Sequence, residues 1–287
     1  MVNVARVSVA LLLVLAGYSY GVLSHEKRWP PTPQIERSLR KAMWWFRPAR
    51  GFNVVTGRTR VDCGNLRGER TAVLLAMGQS NAANEGTLAV VDAPRSYNFN
   101  LFDAHCYEAR DPLLGATGVG GSVWTRVARS LVAAGTYDLV VVAPIAVGGS
   151  SIRRWSPDGD LFERIELAQR GLVAAGLPAT HVLWHQGESD VDMDPGVYTS
   201  HFRAMLAAMR ELGIAAPVYV AQASLCRNQG SAALRTAQRA LATSLPGVLP
   251  GPNTDEIDRF HWRRDFCHFS VAGLDEHARL WSEVLRR

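Results

Sequence analysis

One apolar segment constrains the fold more than any other part of the chain. Every side chain from Leu139 to Ile145 is apolar, as expected of a strand that is covered on both faces. Other strand-like runs alternate with helix-like segments along residues 71–287. This alternation predicts an α/β fold, with a central parallel sheet covered by helices on both sides. The expected strands are 72–77, 139–145, 180–185 and 218–222, with a weaker one at 248–249, and the expected helices lie near 122–134, 161–175, 198–212 and 232–245.

The last helix has the clearest start signal. Ser270 is a good N-cap, and Phe269 before it pairs with Leu274 at the fourth helical position as a hydrophobic staple. This start places His268 on the loop just before a fixed helix. In open α/β sheets, ligands bind at the loops that follow the carboxyl ends of the strands.

The positive charge of the chain is local. The formal net charge is +5, yet residues 71–287 hold 19 basic and 22 acidic side chains, a net charge of −3. Residues 25–70 carry a net charge of +7. A mildly acidic body argues against a nucleic-acid groove, so no nucleic-acid partner is expected.

An uncharged run, Val7–Leu23, lies near the N-terminus. Its length is at the lower edge of the roughly 17–25 residues that span a bilayer. We expect an N-terminal apolar helix that anchors the protein in the membrane, with a signal peptide cleaved near Ser24 as the alternative. The basic segment that follows contains prolines and Trp44-Trp45-Phe46. It is expected either to lie next to an anionic membrane surface or to pack on the domain.

Two features point to opposite sides of the membrane. The basic residues after the apolar run would keep the domain cytoplasmic under the positive-inside rule. The four cysteines contain no Cys-x-x-Cys pair, which suits disulfides and export, although four free thiols would give the same pattern. We expect an exported, periplasmic domain, with the cytoplasmic side as the alternative. The pairings Cys226–Cys267 and Cys63–Cys106 are left open.

Four polar segments stand at the ends of predicted strands or the starts of helices. Ser80 directly follows a strand, where backbone N–H groups can stabilise an oxyanion. Asp265 and His268 are three residues apart, so one turn lets the carboxylate orient the imidazole. Ser80, Asp265 and His268 therefore supply a nucleophile, an orienting acid and a general base. The four segments are Gly78–Asn81, Gly148–Ile152, His185–Asp190 and Asp265–His268.

No metal or cofactor is expected. His181 and His185 fall on a predicted strand, where four residues span roughly 13 Å, too far to share one ion. The sequence contains no H-E-x-x-H, Walker-type or Gly-x-Gly-x-x-Gly pattern, so nucleotide binding is unsupported.

The four segments, together with Gly118–Gly121, resemble the SGNH-type carbohydrate esterases of the sialate O-acetylesterase-like and acetylxylan-esterase-like branch. That branch carries G-Q-S-N, G-V-G-P, G-G-[ST]-S-I-x-x-W, Q-G-E-[ST]-[DN] and D-x-x-H in this order, and the resemblance covers residues 72–281. It implies a three-layer α/β/α sandwich with a central parallel sheet, of the SGNH or flavodoxin-like type. Ala82, Gly121 and Phe269 depart from the usual residues at positions that shape the pockets.

The resemblance also implies roles for individual residues. Ser80 is the implied nucleophile, His268 the base and Asp265 its partner. The implied oxyanion donors are the backbone N–H groups of Ser80 and Gly149 and the side-chain amide of Gln186. Glu188 is the alternative acid, or else a carboxylate that holds the loops.

These features predict a serine esterase that removes acetyl groups from O-acetylated sugars or glycans through an acyl-enzyme. The alternative is a non-hydrolytic glycan-binding or acetyl-transfer accessory protein on the same scaffold. The presence of both Ser80 and His268 favours the enzyme. The expected organisation is a signal anchor or signal peptide at residues 1–24, a basic juxtamembrane segment at 25–70 and an esterase domain at 71–287.

Overall fold

The computed structural model describes Tyr20 and residues 53–286. Apart from Tyr20, the expected apolar helix at Val7–Leu23 lies outside the described residues, as does the segment around Trp44 and Trp45. Within the described part of the chain, no helix combines the length and the apolar character needed to cross a membrane. The chain divides into two units, Met1–Pro48 and Ala49–Arg287. The sheet and its helices belong to the second unit.

Eight strands in the described residues form one mixed sheet in the order β1-β4-β3-β5-β2-β6-β7-β8. Neighbouring strands from β3 to β8 run parallel, whereas β4 is antiparallel to both β1 and β3. The expected central parallel sheet is present, but the whole sheet is mixed, because one edge is antiparallel. The strands are β1 (Arg60–Val61), β2 (Thr71–Gly78), β3 (Ser96–Asn100), β4 (His105–Glu108), β5 (Leu139–Pro144), β6 (His181–His185), β7 (Val218–Gln222) and β8 (Val248–Asn253).

Five α-helices in the described residues cover both faces of the sheet. Successive residues of a strand point to opposite faces, so Leu74 of β2 belongs to one core and Leu75 to the other. The first core also contains Trp124 and Trp281, from α1 and α5. The second core takes its helical side chains from α2, α3 and α4. The helices are α1 (Val123–Ala133), α2 (Phe162–Ala174), α3 (Pro195–Glu211), α4 (Ala232–Ser244) and α5 (Val271–Leu285).

The predicted start of the last helix is confirmed. The Ser270 side chain accepts a hydrogen bond from the Gly273 N–H at 3.1 Å. Phe269 and Leu274 are both buried in the same apolar core, as the staple requires. The other predicted helices and the parallel strands are present with ends shifted by a few residues.

The antiparallel edge contains the elements that the sequence analysis did not predict. Strand β3 carries the buried Asn98, whose side-chain amide donates to the Leu114 carbonyl at 3.0 Å and accepts from the Leu114 N–H at 2.6 Å. Strand β1 pairs with β4, and Cys63 just after β1 forms a disulfide with Cys106 of β4. Residues 53–70, assigned above to the basic segment, thus contribute a strand and a disulfide to this unit.

Gly78 ends β2 and gives a test of this packing. Its φ is +125°, and a Cβ on it would lie 1.9 Å from the His185 carbonyl oxygen, so Gly78→Ala must push β2 away from β6. We expect a loss of more than about 3 kcal/mol in the free energy of unfolding, measured by urea denaturation. Gly135→Ala is the matched control, because Gly135 also has a positive φ (+65°) but has open space around it.

Gly135→Ala should cost only the strain of a left-handed alanine, about 1–2 kcal/mol. Equal losses for the two variants would show that the contact between Gly78 and the His185 carbonyl is not tight.

Candidate active site

Ser80 lies on a short turn at the carboxyl end of β2. The turn is a single 3-10 helix, Ser80–Ala82, and it is held to β6 by a hydrogen bond from the Gln79 N–H to the His185 carbonyl at 3.1 Å. The Ser80 residue is only 6% exposed. Within the described residues its hydroxyl makes no hydrogen bond, so the oxygen is left for a ligand.

Asp265 and His268 form the local pair that their spacing predicted. Oδ2 of Asp265 lies 2.7 Å from Nδ1 of His268, and Oδ1 accepts the N–H groups of His268 at 2.7 Å and Cys267 at 3.1 Å. These contacts turn Nε2 of the imidazole away from the carboxylate, and Nε2 has no hydrogen-bond partner among the described residues. Desolvation opposes ionisation of Asp265, but the hydrogen bonds from His268 and Cys267 lower its pKa overall.

Asn81 connects the serine turn to the histidine turn. Its side-chain amide donates to the Cys267 carbonyl at 3.3 Å and to Oε1 of Glu188 at 2.8 Å. The same Cys267 carbonyl accepts from the Arg263 guanidinium at 2.6 Å, and Cys267 forms a disulfide with Cys226. The histidine turn is therefore held in three ways: by the disulfide, by the buried Arg263 guanidinium and by Asn81, the residue next to Ser80.

Glu188 lies beneath this junction and contacts His185 rather than His268. Its Oε1 is 3.2 Å from Nε2 of His185, and no contact with His268 is present. Burial alone would raise the pKa of Glu188, but the charge of His185 and the hydrogen bonds from His185 and Asn81 outweigh it and hold that pKa at about 2. In this geometry Glu188 bonds to Asn81 and His185, and the carboxylate bonded to His268 is that of Asp265.

His185 lies between two buried groups. Its Nε2 faces the Glu188 carboxylate at 3.2 Å, and its Nδ1 lies 3.1 Å from Nε2 of His277. Trp281 can only donate, and its indole N–H points at the same Nε2 of His277 at 3.0 Å. Burial and the charge of His185 lower the pKa of His277, in keeping with a neutral ring.

Two of the three expected oxyanion donors are available. The backbone N–H groups of Ser80 and Gly149 donate to no acceptor in the described part of the chain. Gln186 is different, because its side chain is fully buried. Its amide nitrogen already faces Ser150 O at 3.1 Å and Asp190 Oδ2 at 2.7 Å. In this structure the Gln186 amide ties the Ser150 loop to Asp190, and its expected role as an oxyanion donor stays a prediction.

One charged side chain at the site was not predicted from the sequence. Glu85 follows Ser80 by five residues, and it is half-buried. Desolvation raises its pKa, and the nearby His268 and Arg264 counteract this in part. The one available signal was a carboxylate in a loop that otherwise consists of small and amide residues.

Comparisons with known proteins show the family of the chain. The model of the family "Carbohydrate esterase, sialic acid-specific acetylesterase" matches residues 70–278, most of the chain. The chain belongs to this family. It is therefore a carboxylic-ester hydrolase of the carbohydrate esterase type. No protein of curated function matches the sequence.

Solved structures of low sequence identity share the fold. A protein from Arabidopsis thaliana is 19% identical with a TM-score of 0.60, over 75% of this chain and 96% of that one. A carbohydrate acetylesterase from Xanthomonas citri is 20% identical with a TM-score of 0.52, over 75% of this chain but only 55% of its own. A protein described as a GDSL-like lipase from Parabacteroides merdae is 13% identical with a TM-score of 0.51, over 76% of this chain and 97% of that one.

The two carboxylates are expected to respond differently to amide substitution. Asp265→Asn removes the group that fixes the His268 tautomer, so kcat on p-nitrophenyl acetate at neutral pH should fall by roughly 10⁴-fold. Glu188→Gln removes the carboxylate that accepts from Asn81 and His185, so the free energy of unfolding should fall by about 1–3 kcal/mol. Steady-state kinetics and urea denaturation of both variants test the assignment, and the opposite ranking in both measurements would transfer the orienting role to Glu188.

Proposed function

We propose that the protein is a serine esterase that hydrolyses acetyl esters on carbohydrate through Ser80, His268 and Asp265. One observation carries this proposal. At the carboxyl edge of the sheet, the Ser80 hydroxyl and His268 Nε2 have no partner among the described residues, while Asp265 Oδ2 lies 2.7 Å from the other ring nitrogen of His268. These are the atoms that a nucleophile and a general base must leave free for substrate.

The acylation step uses each of these groups once. His268 Nε2 accepts the proton of the Ser80 hydroxyl as Oγ attacks the acetyl carbonyl carbon. The carbonyl oxygen takes up negative charge, and the N–H groups of Ser80 and Gly149 donate to it. The intermediate then collapses, the sugar oxygen leaves with the proton from His268, and the acetyl group remains on Ser80.

Deacylation repeats the sequence with water. His268 takes a proton from the attacking water and returns it to Ser80 Oγ as acetate departs. Asp265 stays ionised throughout, because its lowered pKa favours the carboxylate, and it stabilises the imidazolium formed in each half-reaction.

The substrate class rests on the family. Its description names carbohydrate esterases and sialic acid-specific acetylesterases, and the similar structure from Xanthomonas citri is described as a carbohydrate acetylesterase. We infer an O-acetylated sugar or glycan as the substrate. The two disulfides support an exported domain, since such bonds persist in oxidising compartments.

The nucleophile assignment predicts the behaviour of Ser80→Ala. Acetate release from p-nitrophenyl acetate and from acetylated xylan should fall by roughly 10⁴-fold or more, with an unchanged melting temperature, because only one free hydroxyl is removed. Electrospray mass spectrometry of a rapidly quenched wild-type reaction should find acetyl on the peptide that contains Ser80.

Ser189→Ala is the matched control, since Ser189 is an exposed serine in the neighbouring His185–Asp190 segment. It should retain wild-type turnover. Retention of most activity by Ser80→Ala would overturn the assignment of the nucleophile.

A further inference from the structure

Glu85 carries a carboxylate that the esterase mechanism does not use. It is half-buried, and it makes no hydrogen bond or close ion pair with any described residue. The charges that act on it, those of His268, Arg264 and Asp265, all belong to the histidine turn. A partly desolvated carboxylate without a partner is an unused acceptor, and such groups are found where a ligand supplies the donor.

The position of this carboxylate is fixed by two glycine loops on its other side. A Cβ on Gly148 would lie 3.2 Å from Oε1 of Glu85, and a Cβ on Gly118 would lie 2.9 Å from its Cδ. Gly148 directly precedes Gly149, whose N–H is a proposed oxyanion donor. Glu85 therefore stands between the oxyanion loop and the histidine turn, beside the space that an ester must enter.

The charges around this space favour one class of substrate. Glu85 and Asp265 carry carboxyl groups and Arg264 a guanidinium, so the ionised side chains of these three residues sum to one negative charge. Arg264 is already drawn towards Asp265, with Nε 3.9 Å from Oδ2. A neutral sugar offers hydroxyl donors to the Glu85 carboxylate, whereas a sugar acid brings a second carboxylate into the same partly dry space.

We propose that Glu85 is a substrate-selecting carboxylate, which accepts hydrogen bonds from the hydroxyls of a neutral O-acetylated sugar and disfavours O-acetylated sugars that carry a carboxylate. This inference rests on the proposed function, because it concerns the alcohol side of the same ester. It narrows the substrate class from acetylated carbohydrate to uncharged acetylated carbohydrate.

Selectivity between two acetylated sugars tests the inference. The readout is the ratio of kcat/KM for acetylated xylo-oligosaccharides to kcat/KM for O-acetylated N-acetylneuraminic acid, measured with the full chain. The wild type should prefer the neutral substrate. Two like charges about 7 Å apart weaken binding by roughly 3-fold with the screening of water and by roughly 50-fold with the screening near a protein surface. Glu85→Gln removes one of the two charges, so it should lower the ratio by a factor within this range.

Two further variants separate charge from structure. Glu85→Asp keeps the charge and should keep the preference for the neutral sugar, which guards against a trivial folding defect in Glu85→Gln. Glu211→Gln is the matched control: Glu211 is exposed at the end of α3, at the amino edge of the sheet and opposite the site. It removes the same charge and should leave the ratio unchanged.

The possible outcomes are distinct. A wild-type preference for the sialate, or a ratio that Glu85→Gln does not change, would overturn the inference. It would also fail if neither sugar were hydrolysed while p-nitrophenyl acetate was turned over in a Ser80-dependent way. Turnover that survives Ser80→Ala would instead overturn the proposed function itself.

Discussion

The buried contact between His185 and Glu188 is the interaction on which the site depends. It is buried at the end of β6, and its carboxylate also accepts from Asn81, the residue after Ser80. The same Asn81 amide reaches the Cys267 carbonyl next to His268. A buried pair of this kind adds little net stability, because desolvation offsets attraction, but loss of one partner leaves an uncompensated charge. The pair therefore fixes where the serine and histidine turns meet more than it stabilises the fold.

The parts of the structure that can be predicted from the sequence depend on runs of apolar residues or on residues close together in the chain. The apolar runs identified the central parallel strands, since burial on both faces leaves no choice of side chain. The capped start of α5 and the pair of Asp265 and His268 depend only on residues within a few positions of each other. Strands β3 and β4 were missed because β3 includes Asn98, and a buried asparagine looks like a loop residue until its partner Leu114 is known.

Within the site, too, contacts between distant parts of the chain could not be predicted from the sequence. Gln186 stands in a motif that implies an oxyanion donor, but its amide hydrogens are engaged by Ser150 and Asp190. The motif identifies the residue type, while the direction of the amide depends on which acceptors the tertiary fold brings near it. Glu85 belongs to none of the sequence motifs. The position of its side chain depends on the Gly118 and Gly148 loops, which lie close to it in the fold. The cysteine pairings were open for a similar reason, because each bridge joins parts of the chain about forty residues apart.

Hydrogen bonding and burial together leave few atoms of this polar site open to a ligand. Gln186 and Asn81 donate their amide hydrogens to protein acceptors, and Oε1 of Glu188 accepts from Asn81 and His185. Groups that already have partners gain little from a ligand, because binding would exchange one hydrogen bond for another. Asn81 Oδ1, Gln186 Oε1 and Glu188 Oε2 have no partner in the described residues, but all three are buried away from solvent. The Ser80 hydroxyl, Nε2 of His268 and the Glu85 carboxylate also lack a partner there and are not among these buried atoms, so the proposed nucleophile and base are groups that a substrate can meet.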